Sequence, residues 1–229
     1  MQIDVWSDFA CPWCALGLRR LHVAREQFEH GEDITVVHRS FELDPHAPAR
    51  RPQTMAELLS TKYGMSPEQV HAGHEHLAAL GRDVGLEFNF DRIQSGNTFD
   101  AHRLASAARG TAAEGPLVTG LFAAYFTDGE LLSDHEVLVR VATASGMDPD
   151  VARHTLGSGE HAAEVRADEE LAHDLGITGV PHFVINGKWA IPGAQDVDTM
   201  VLALGRAWER TEPAADLSDR VPVSSPQVR

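Results

Sequence analysis

Cys11-Pro12-Trp13-Cys14 carries the clearest chemistry in this sequence. Two thiols three residues apart can close a disulfide when both lie on one helical turn. Residues i and i+3 there stand about 5–6 Å apart, a span that a disulfide bridges without backbone movement. Residues 3–8, just before the pair, alternate as a strand, whereas Leu16, Leu18, Leu21, Ala24 and Phe28 after it repeat at helical spacing. Cys11 therefore falls at a strand-to-helix junction. A helix N-terminus offers unpaired N–H groups and the positive end of the helix dipole, which stabilise an anion at Cys11 and make it the attacking thiol. Cys14, one turn further in, is placed to resolve a mixed disulfide formed at Cys11. Pro12 fits the first helical position, where its missing N–H costs nothing, and Trp13 stands between the thiols. The competing readings are two inert buried cysteines, or half of a zinc site. Zinc needs two further ligands, and the sequence has only these two cysteines.

Thr178-Gly179-Val180-Pro181-His182-Phe183-Val184 is the second constellation. Proline opens a strand that otherwise reads as central, a place it takes only where the ladder does not need its N–H. The isomer of the Val180–Pro181 bond is not legible at this level. Asn97, Asp100 and His102 either line a polar substrate pocket or cap the helix that starts there. Asp8, three residues before Cys11, either moves a proton or ends its strand. His182 sits beside Pro181 and either faces the thiols or is turned away by strand alternation. His71, His74, Glu75 and His76 have helical spacing, but zinc wants three convergent ligands and His76 points to another face than His71. The cluster reads as a solvated helix face, and no bound metal is expected.

These groups need a frame. Residues 3–8 and 34–43 read as parallel strands joined by a helix, since a crossover of that length is right-handed. Thr54 with Glu57 and Ser133 with Glu136 fit capping boxes. Ser66-Pro67 and Asp148-Pro149 fit a cap followed by proline, so residues 52–176 read as an insertion of six or seven helices. Residues 87–91 alternate but lie among polar neighbours and read as a loop. Gly176 fits the position after a helix. Residues 182–185 and 188–191 flank Asn186-Gly187, the signature of a type I′ hairpin, and a helix over 197–208 closes the unit. The predicted fold class is α/β: β-α-β, an all-helical insertion, then β-β-α. Residues 1–51 and 177–211 form one unit, residues 52–176 the insertion, and residues 212–229, with three prolines, a flexible tail.

Composition narrows the function. The 229 residues carry 19 basic and 34 acidic side chains, a net charge of −15, which repels phosphate backbones and anionic lipid. Nucleic acid and membranes are not expected partners, and no apolar run is long enough to span a bilayer. The first residues have neither a basic region nor an apolar core of a secretion signal, so the expected compartment is the cytoplasm. Thiols in a reducing compartment matter through redox chemistry rather than as structural bridges. Nothing in the sequence indicates the oligomeric state.

The CPWC segment after a strand, the helical insertion with Phe41-Glu42-Leu43-Asp44-Pro45 and Asn97-Thr98-Phe99-Asp100-Ala101-His102-Arg103-Leu104, and the T-G-V-P stretch through Gln195 together resemble the DsbA-type branch of the thioredoxin superfamily. Within it the chain is similar to the cytoplasmic FrnE-like oxidoreductases, relatives of 2-hydroxychromene-2-carboxylate isomerase and kappa-class glutathione transferase. The resemblance implies a thioredoxin-like βαβ…ββα fold with Val180–Pro181 cis and facing the thiols. It implies thiol-disulfide exchange with Cys11 as nucleophile and Cys14 resolving, Pro12 and Trp13 shaping the turn, and Val180 offering its backbone to a substrate strand. Asn97 and His102 become candidate substrate contacts. No cofactor is implied beyond glutathione as redox partner or substrate, and the substrate is a protein or small molecule carrying a disulfide or dithiol. The alternative is a glutathione-dependent isomerase or transferase of the 2-hydroxychromene-2-carboxylate isomerase type, but those relatives carry serine where Cys11 stands. Strong oxidants carry histidine where Trp13 stands, so the resemblance implies a couple less oxidising than about −120 mV.

Overall fold

A computed structural model describes residues 1–210; the predicted tail at 212–229 lies outside the described residues. Strand β1 (Gln2–Ser7) leads into helix α1 (Pro12–Gln27), and β2 (Thr35–Ser40) returns parallel to β1, with Val5 opposite His38. Helices α2 (Met55–Tyr63), α3 (Pro67–Asp83), α4 (Phe99–Ala108), α5 (Glu114–Phe126), α6 (His135–Ala144), α7 (Pro149–Gly157) and α8 (Ala162–Asp174) follow. The chain then re-enters the sheet as β3 (His182–Ile185) and β4 (Trp189–Pro192) and ends in α9 (Val197–Trp208). The sheet order is β2-β1-β3-β4, with β3 antiparallel to both β1 and β4.

Strand alternation divides the two faces. Ile3 and Val5 join Phe183 and Ile185 on one face, packed against Leu21 and Ala24 of α1 and Met200 and Leu204 of α9. Asp4 and Trp6 point to the other face, where Trp6 packs with Val184 against Ala172 and Ile177. That second face also holds buried charge. Arg39 donates to Asp4 at 2.8 Å and to Asp168 of α8 at 3.1 Å, Ser40 N donates to Asp168 at 3.0 Å, and Arg109 pairs with Asp168. Trp6 Nε1 donates to the Asp168 carbonyl at 2.9 Å. Buried charges of this kind hold a geometry only when paired and hydrogen-bonded, and here they fasten the insertion to the strands that lead to Cys11.

Helix boundaries follow local chemistry. The capping boxes at Thr54 with Glu57 and at Ser66 with Gln69 are both formed, and Asp148 caps α7 ahead of Pro149. The box expected at Ser133 is absent. Asp134 caps α6 instead, because the Ser133 hydroxyl is taken by the Ala49 carbonyl. Strand β2 stops at Ser40, short of the expected residue 43, because Glu42 N donates to Glu169 and Leu43 N to Asp8, which pulls both out of the ladder. The loop at 87–91 is a loop with a short 3-10 turn, but Phe88 and Phe90 are core residues that meet Phe126 edge-on. Asn186 and Gly187 both have positive φ, at 47° and 65°, as the hairpin turn requires. The register pairs Ile185 with Trp189, so β4 begins one residue later than expected.

The frame predicts one pH effect. Burial, then the charges of His22 and Arg109, push the His38 imidazole down to about 4. The unfolded chain takes up that proton first, near pH 6.5, so this contribution to stability is present above 6.5 and lost as pH falls toward 4. Urea unfolding should show a loss of about 2–3 kcal/mol from this group across that window. His38→Phe should remove that part of the slope, and an unchanged slope in the variant would refute the assignment.

Candidate active site

Strand β1 delivers the chain to Asp8, and a turn closed by Cys11 N donating to the Asp8 carbonyl at 3.0 Å swings it into α1. Cys11 is the cap residue of that helix, extended at φ −99° and ψ 112°, and Pro12 follows at the first helical position. The first turn holds no acidic residue. Neither cysteine is in a disulfide. Exposure separates the two sulfurs: Cys14 is 0 % exposed and Cys11 6 %, beside a Trp13 that is 41 % exposed. A reagent approaching from solvent therefore meets Cys11 before Cys14. Burial pushes the Cys14 thiol well above the ordinary range, and the Cys11 sulfur, its hydrogen-bond partner, pushes it further.

Across from the thiols, the Val180–Pro181 peptide bond is cis, and Cys11 Sγ lies 3.7 Å from the Val180 carbonyl oxygen. Pro181 is buried against α1, a close approach that Gly17 permits. A Cβ at Gly17 would stand 2.9 Å from Pro181 Cγ and 3.3 Å from both Ala194 and Phe183. Nothing in the sequence singles out Gly17, since a lone glycine inside an apolar helix shows its reason only once its neighbour is known.

Beneath the pair lies Asp8, 2 % exposed. Its Oδ2 accepts from Leu43 N at 2.7 Å, and its Oδ1 accepts from Ala10 N at 3.1 Å and Thr98 Oγ1 at 3.0 Å. His102, also 2 % exposed, brings Nε2 to 3.6 Å from Oδ1, too long for a hydrogen bond, while its ring packs on Phe9 with centroids 4.8 Å apart. Burial pushes the Asp8 carboxyl up, but the facing His102 and the amides of Leu43 and Ala10 outweigh it and hold Asp8 below the ordinary aspartate range. Asp8 thus ties three distant segments together at the thiols: the loop after β2, the start of α4, and CPWC.

The remaining candidates are placed as follows. Asn97 closes the start of α4, its Oδ1 accepting from Phe99 N at 2.8 Å and its Nδ2 donating to the Ala47 carbonyl at 3.4 Å. Asp100 pairs with Arg103 and His135. His182 opens β3, and burial alone pushes its imidazole down. His71 faces Glu75 at 3.4 Å in solvent, whereas His74 lies flat on Phe90 with centroids 4.1 Å apart. Among the described residues, no group of three His, Cys, Asp or Glu side chains is disposed to hold a metal.

The model of the DSBA-like thioredoxin domain family matches residues 2–205. The chain belongs to that family. A probable DsbA oxidoreductase from Streptomyces coelicolor is 38% identical, with a TM-score of 0.88 over 94% of this chain and 93% of that one. A 2-hydroxychromene-2-carboxylate isomerase has a TM-score of 0.69 at 17% identity, over 91% and 97% of the two chains. The cytosolic disulfide reductase DsbM from Pseudomonas aeruginosa has a TM-score of 0.62 at 15% identity, over 92% and 100%. At those identities the last two likenesses concern the fold.

In this DSBA-like domain the Gly17 contact makes a prediction. Alanine there gains helix propensity of about 1 kcal/mol, but overpacking against the proline ring costs about 1–3 kcal/mol. Gly17→Ala should therefore unfold at lower urea and change the rate at which Cys11 reacts with a thiol reagent, because Pro181 is displaced. Wild-type stability together with wild-type thiol reactivity would show that the contact positions nothing.

Proposed function

We propose that this protein is a thiol-disulfide oxidoreductase in which Cys11 is the nucleophile and Cys14 the resolving thiol. The observation that carries this reading is the asymmetry of the pair. One sulfur sits at a helix N-terminus within reach of substrate, and the other is sealed beneath it and held protonated. The Cys11 thiolate attacks a substrate disulfide, forming one Cys11–substrate S–S bond and releasing one substrate thiolate. The Cys11 sulfur then no longer raises the Cys14 thiol, so Cys14 loses its proton more readily at the moment it is needed. It attacks Cys11, a Cys11–Cys14 disulfide forms, the second substrate thiolate leaves, and two electrons have passed to the substrate. The reverse sequence oxidises a dithiol.

Pro12 and Trp13 shape the turn, and the Val180 backbone with Pro181 lines the approach to Cys11. Asn97 and His102 act one layer further out, as supports of the floor on which Asp8 and the thiols rest. Residues 1–51 and 177–211 form the thiol-bearing unit, and residues 52–176 cover it. The chemistry needs no bound cofactor. Glutathione is the proposed small-molecule redox partner, in a reducing cytoplasm, a reading supported by the cytosolic reductase of like fold, which was also solved with glutathione. Cys14→Ser tests the assignment of roles: exposed to a disulfide-containing peptide, it should accumulate a stable mixed disulfide on Cys11, visible by mass. No adduct on Cys11 in this variant would overturn the proposal.

A second reading, a glutathione-dependent isomerase, is favoured by the isomerase of like fold. Cys11 opposes it, since the resemblance to those isomerases implies serine at this position.

A further inference from the structure

Two segments far from CPWC in sequence meet beneath the thiols. Phe41-Glu42-Leu43-Asp44-Pro45 leaves the end of β2, and Asn97 to Leu104 spans the start of α4. Each sends one donor to the Asp8 carboxylate: Leu43 N to Oδ2, and Thr98 Oγ1 to Oδ1. Each also buries a titratable side chain that keeps a bare polar atom. Glu42 Oε1 and His102 Nε2 are both sealed from solvent, and neither has a hydrogen-bond partner among the described residues. A buried polar atom left unpaired costs free energy, and native folds keep few of them. Two such atoms, one on each segment that grips Asp8, mark a place with a use for them.

The groups form a row from Cys14 outward. The Asp8 amide is a hydrogen-bond donor to the Cys14 sulfur. Asp8 Oδ1 and His102 Nε2 stand 3.6 Å apart, a separation that tightens once the two share a proton. The His102 imidazole acts in turn on the Glu42 carboxyl. Glu42 Oε2 accepts from Arg166 of α8, which also donates to Glu169 at 2.6 Å and is half exposed. One end of the row is a buried thiol, and the other reaches water. The two carboxyls differ as bases. Asp8 already accepts from Leu43 N, Ala10 N and Thr98 Oγ1 and is held below the ordinary range, so a proton does not rest there. Burial pushes the Glu42 carboxyl up; Arg166 and His102 pull against this without cancelling it, and Glu169 adds to it. Tyr125 of α5 also feels the Asp8 charge, but burial pushes its phenol up to about 12, so it stays protonated.

We propose that Asp8, His102 and Glu42 form a proton relay in which Glu42 receives the proton that Cys14 releases on resolving the mixed disulfide. This rests on the exchange mechanism above and adds the route by which its proton leaves. As Cys14 attacks, its S–H bond breaks and the proton passes by Asp8 and His102 to Glu42 Oε1. The electron pair left on the Cys14 sulfur forms the Cys11–Cys14 bond, and the substrate sulfur departs with the pair of the bond that breaks. Glu42 then gives the proton to solvent beside Arg166. Without this route a buried thiolate would have to form against the Asp8 charge.

Stopped-flow absorbance on the reduced full chain with one equivalent of 5,5′-dithiobis(2-nitrobenzoate) tests this, because it reads the two steps separately. Attack by Cys11 releases the first thionitrobenzoate, and resolution by Cys14 releases the second. Proton removal by a placed base contributes about 10²–10⁴-fold to such a step. Glu42→Gln keeps the shape and an acceptor for Arg166, so the first release should keep its rate while the second slows at least about tenfold near neutral pH. The slowing should shrink in alkali, where hydroxide takes the proton directly. His102→Phe, which keeps a ring on Phe9, should act in the same way, and the double variant should be no slower than the slower single one, since both interrupt one route. A second release at the wild-type rate in Glu42→Gln, equal slowing of both releases, or slowing by the same factor at every pH would each overturn the relay. A wild-type chain that releases only the first thionitrobenzoate would overturn the dithiol mechanism itself, and the relay with it.

Discussion

Cys11→Ser should abolish disulfide exchange in both directions, cutting turnover of a disulfide peptide by a factor on the order of 10³ or more, as loss of a catalytic nucleophile does elsewhere. Serine is close to isosteric, and Cys11 contributes one edge of the core beside Phe9 and Cys14. The variant should therefore fold, and far-ultraviolet circular dichroism should be unchanged. The same variant separates the two readings of the site. An oxidoreductase loses its activity when Cys11 becomes serine, whereas a glutathione-dependent isomerase tolerates the change, because its relatives carry serine at that point. Full insulin reduction by Cys11→Ser would remove Cys11 from the mechanism.

The second large effect falls on Asp8. Alanine at this position leaves Leu43 N, Ala10 N, Thr98 Oγ1 and His102 facing an empty site in the core. Each buried donor left without its acceptor costs about 1–3 kcal/mol, so the loss should take a large part of the stability of an ordinary domain. Asp8→Asn keeps the shape and some acceptors, so it should cost less and isolate the effect of charge. The pH dependence has a definite sign. The folded-state carboxyl lies below the ordinary aspartate value, so its stabilisation is present above about pH 4 and is lost as pH falls through the lower folded value. The stability gap between wild type and Asp8→Asn should thus be widest near neutrality and narrow in acid. A gap that stays constant down to pH 2 would mean that the charge contributes nothing. The backbone of Asp8 lowers the Cys14 thiol and its carboxylate charge, the smaller effect, raises it, so Asp8→Asn, which removes only the charge, should let Cys14 ionise at slightly lower pH, as thiolate absorbance would show.

Much of this arrangement is legible in the sequence. The CPWC junction, the parallel return of β2, the Asn186-Gly187 hairpin and the bounds of α9 all rest on short-range rules, and short-range rules act within one sequence segment. The seven α-helices between β2 and β3 fall in the expected range for the same reason. What the sequence leaves open depends on partners far along the chain. Asp8 reads either as a proton carrier or as a strand end, because the groups that define it, Leu43, Thr98 and His102, lie up to 94 positions away, in the loop after β2 and at the start of α4. Gly17 is silent because its meaning is Pro181. Ser133 misleads because Ala49, not Glu136, holds its hydroxyl, and β2 is shorter than its β-branched run because Glu169 and Asp8 compete with the ladder for its last amides. Phe88 and Phe90 have polar neighbours in sequence and aromatic ones in space.

The central claim is that Cys11 and Cys14 form one reversible two-electron couple. Its most direct test is an equilibrium titration of the whole protein in glutathione buffers. The transition would be followed by tryptophan fluorescence, since Trp13 lies between the sulfurs, with thiols counted at both ends. The predicted result is a single reversible transition that consumes two thiols, forms an intramolecular disulfide, and has a midpoint more negative than about −120 mV. A stable glutathione adduct on Cys11, with Cys14 still a free thiol at every buffer ratio, would contradict it.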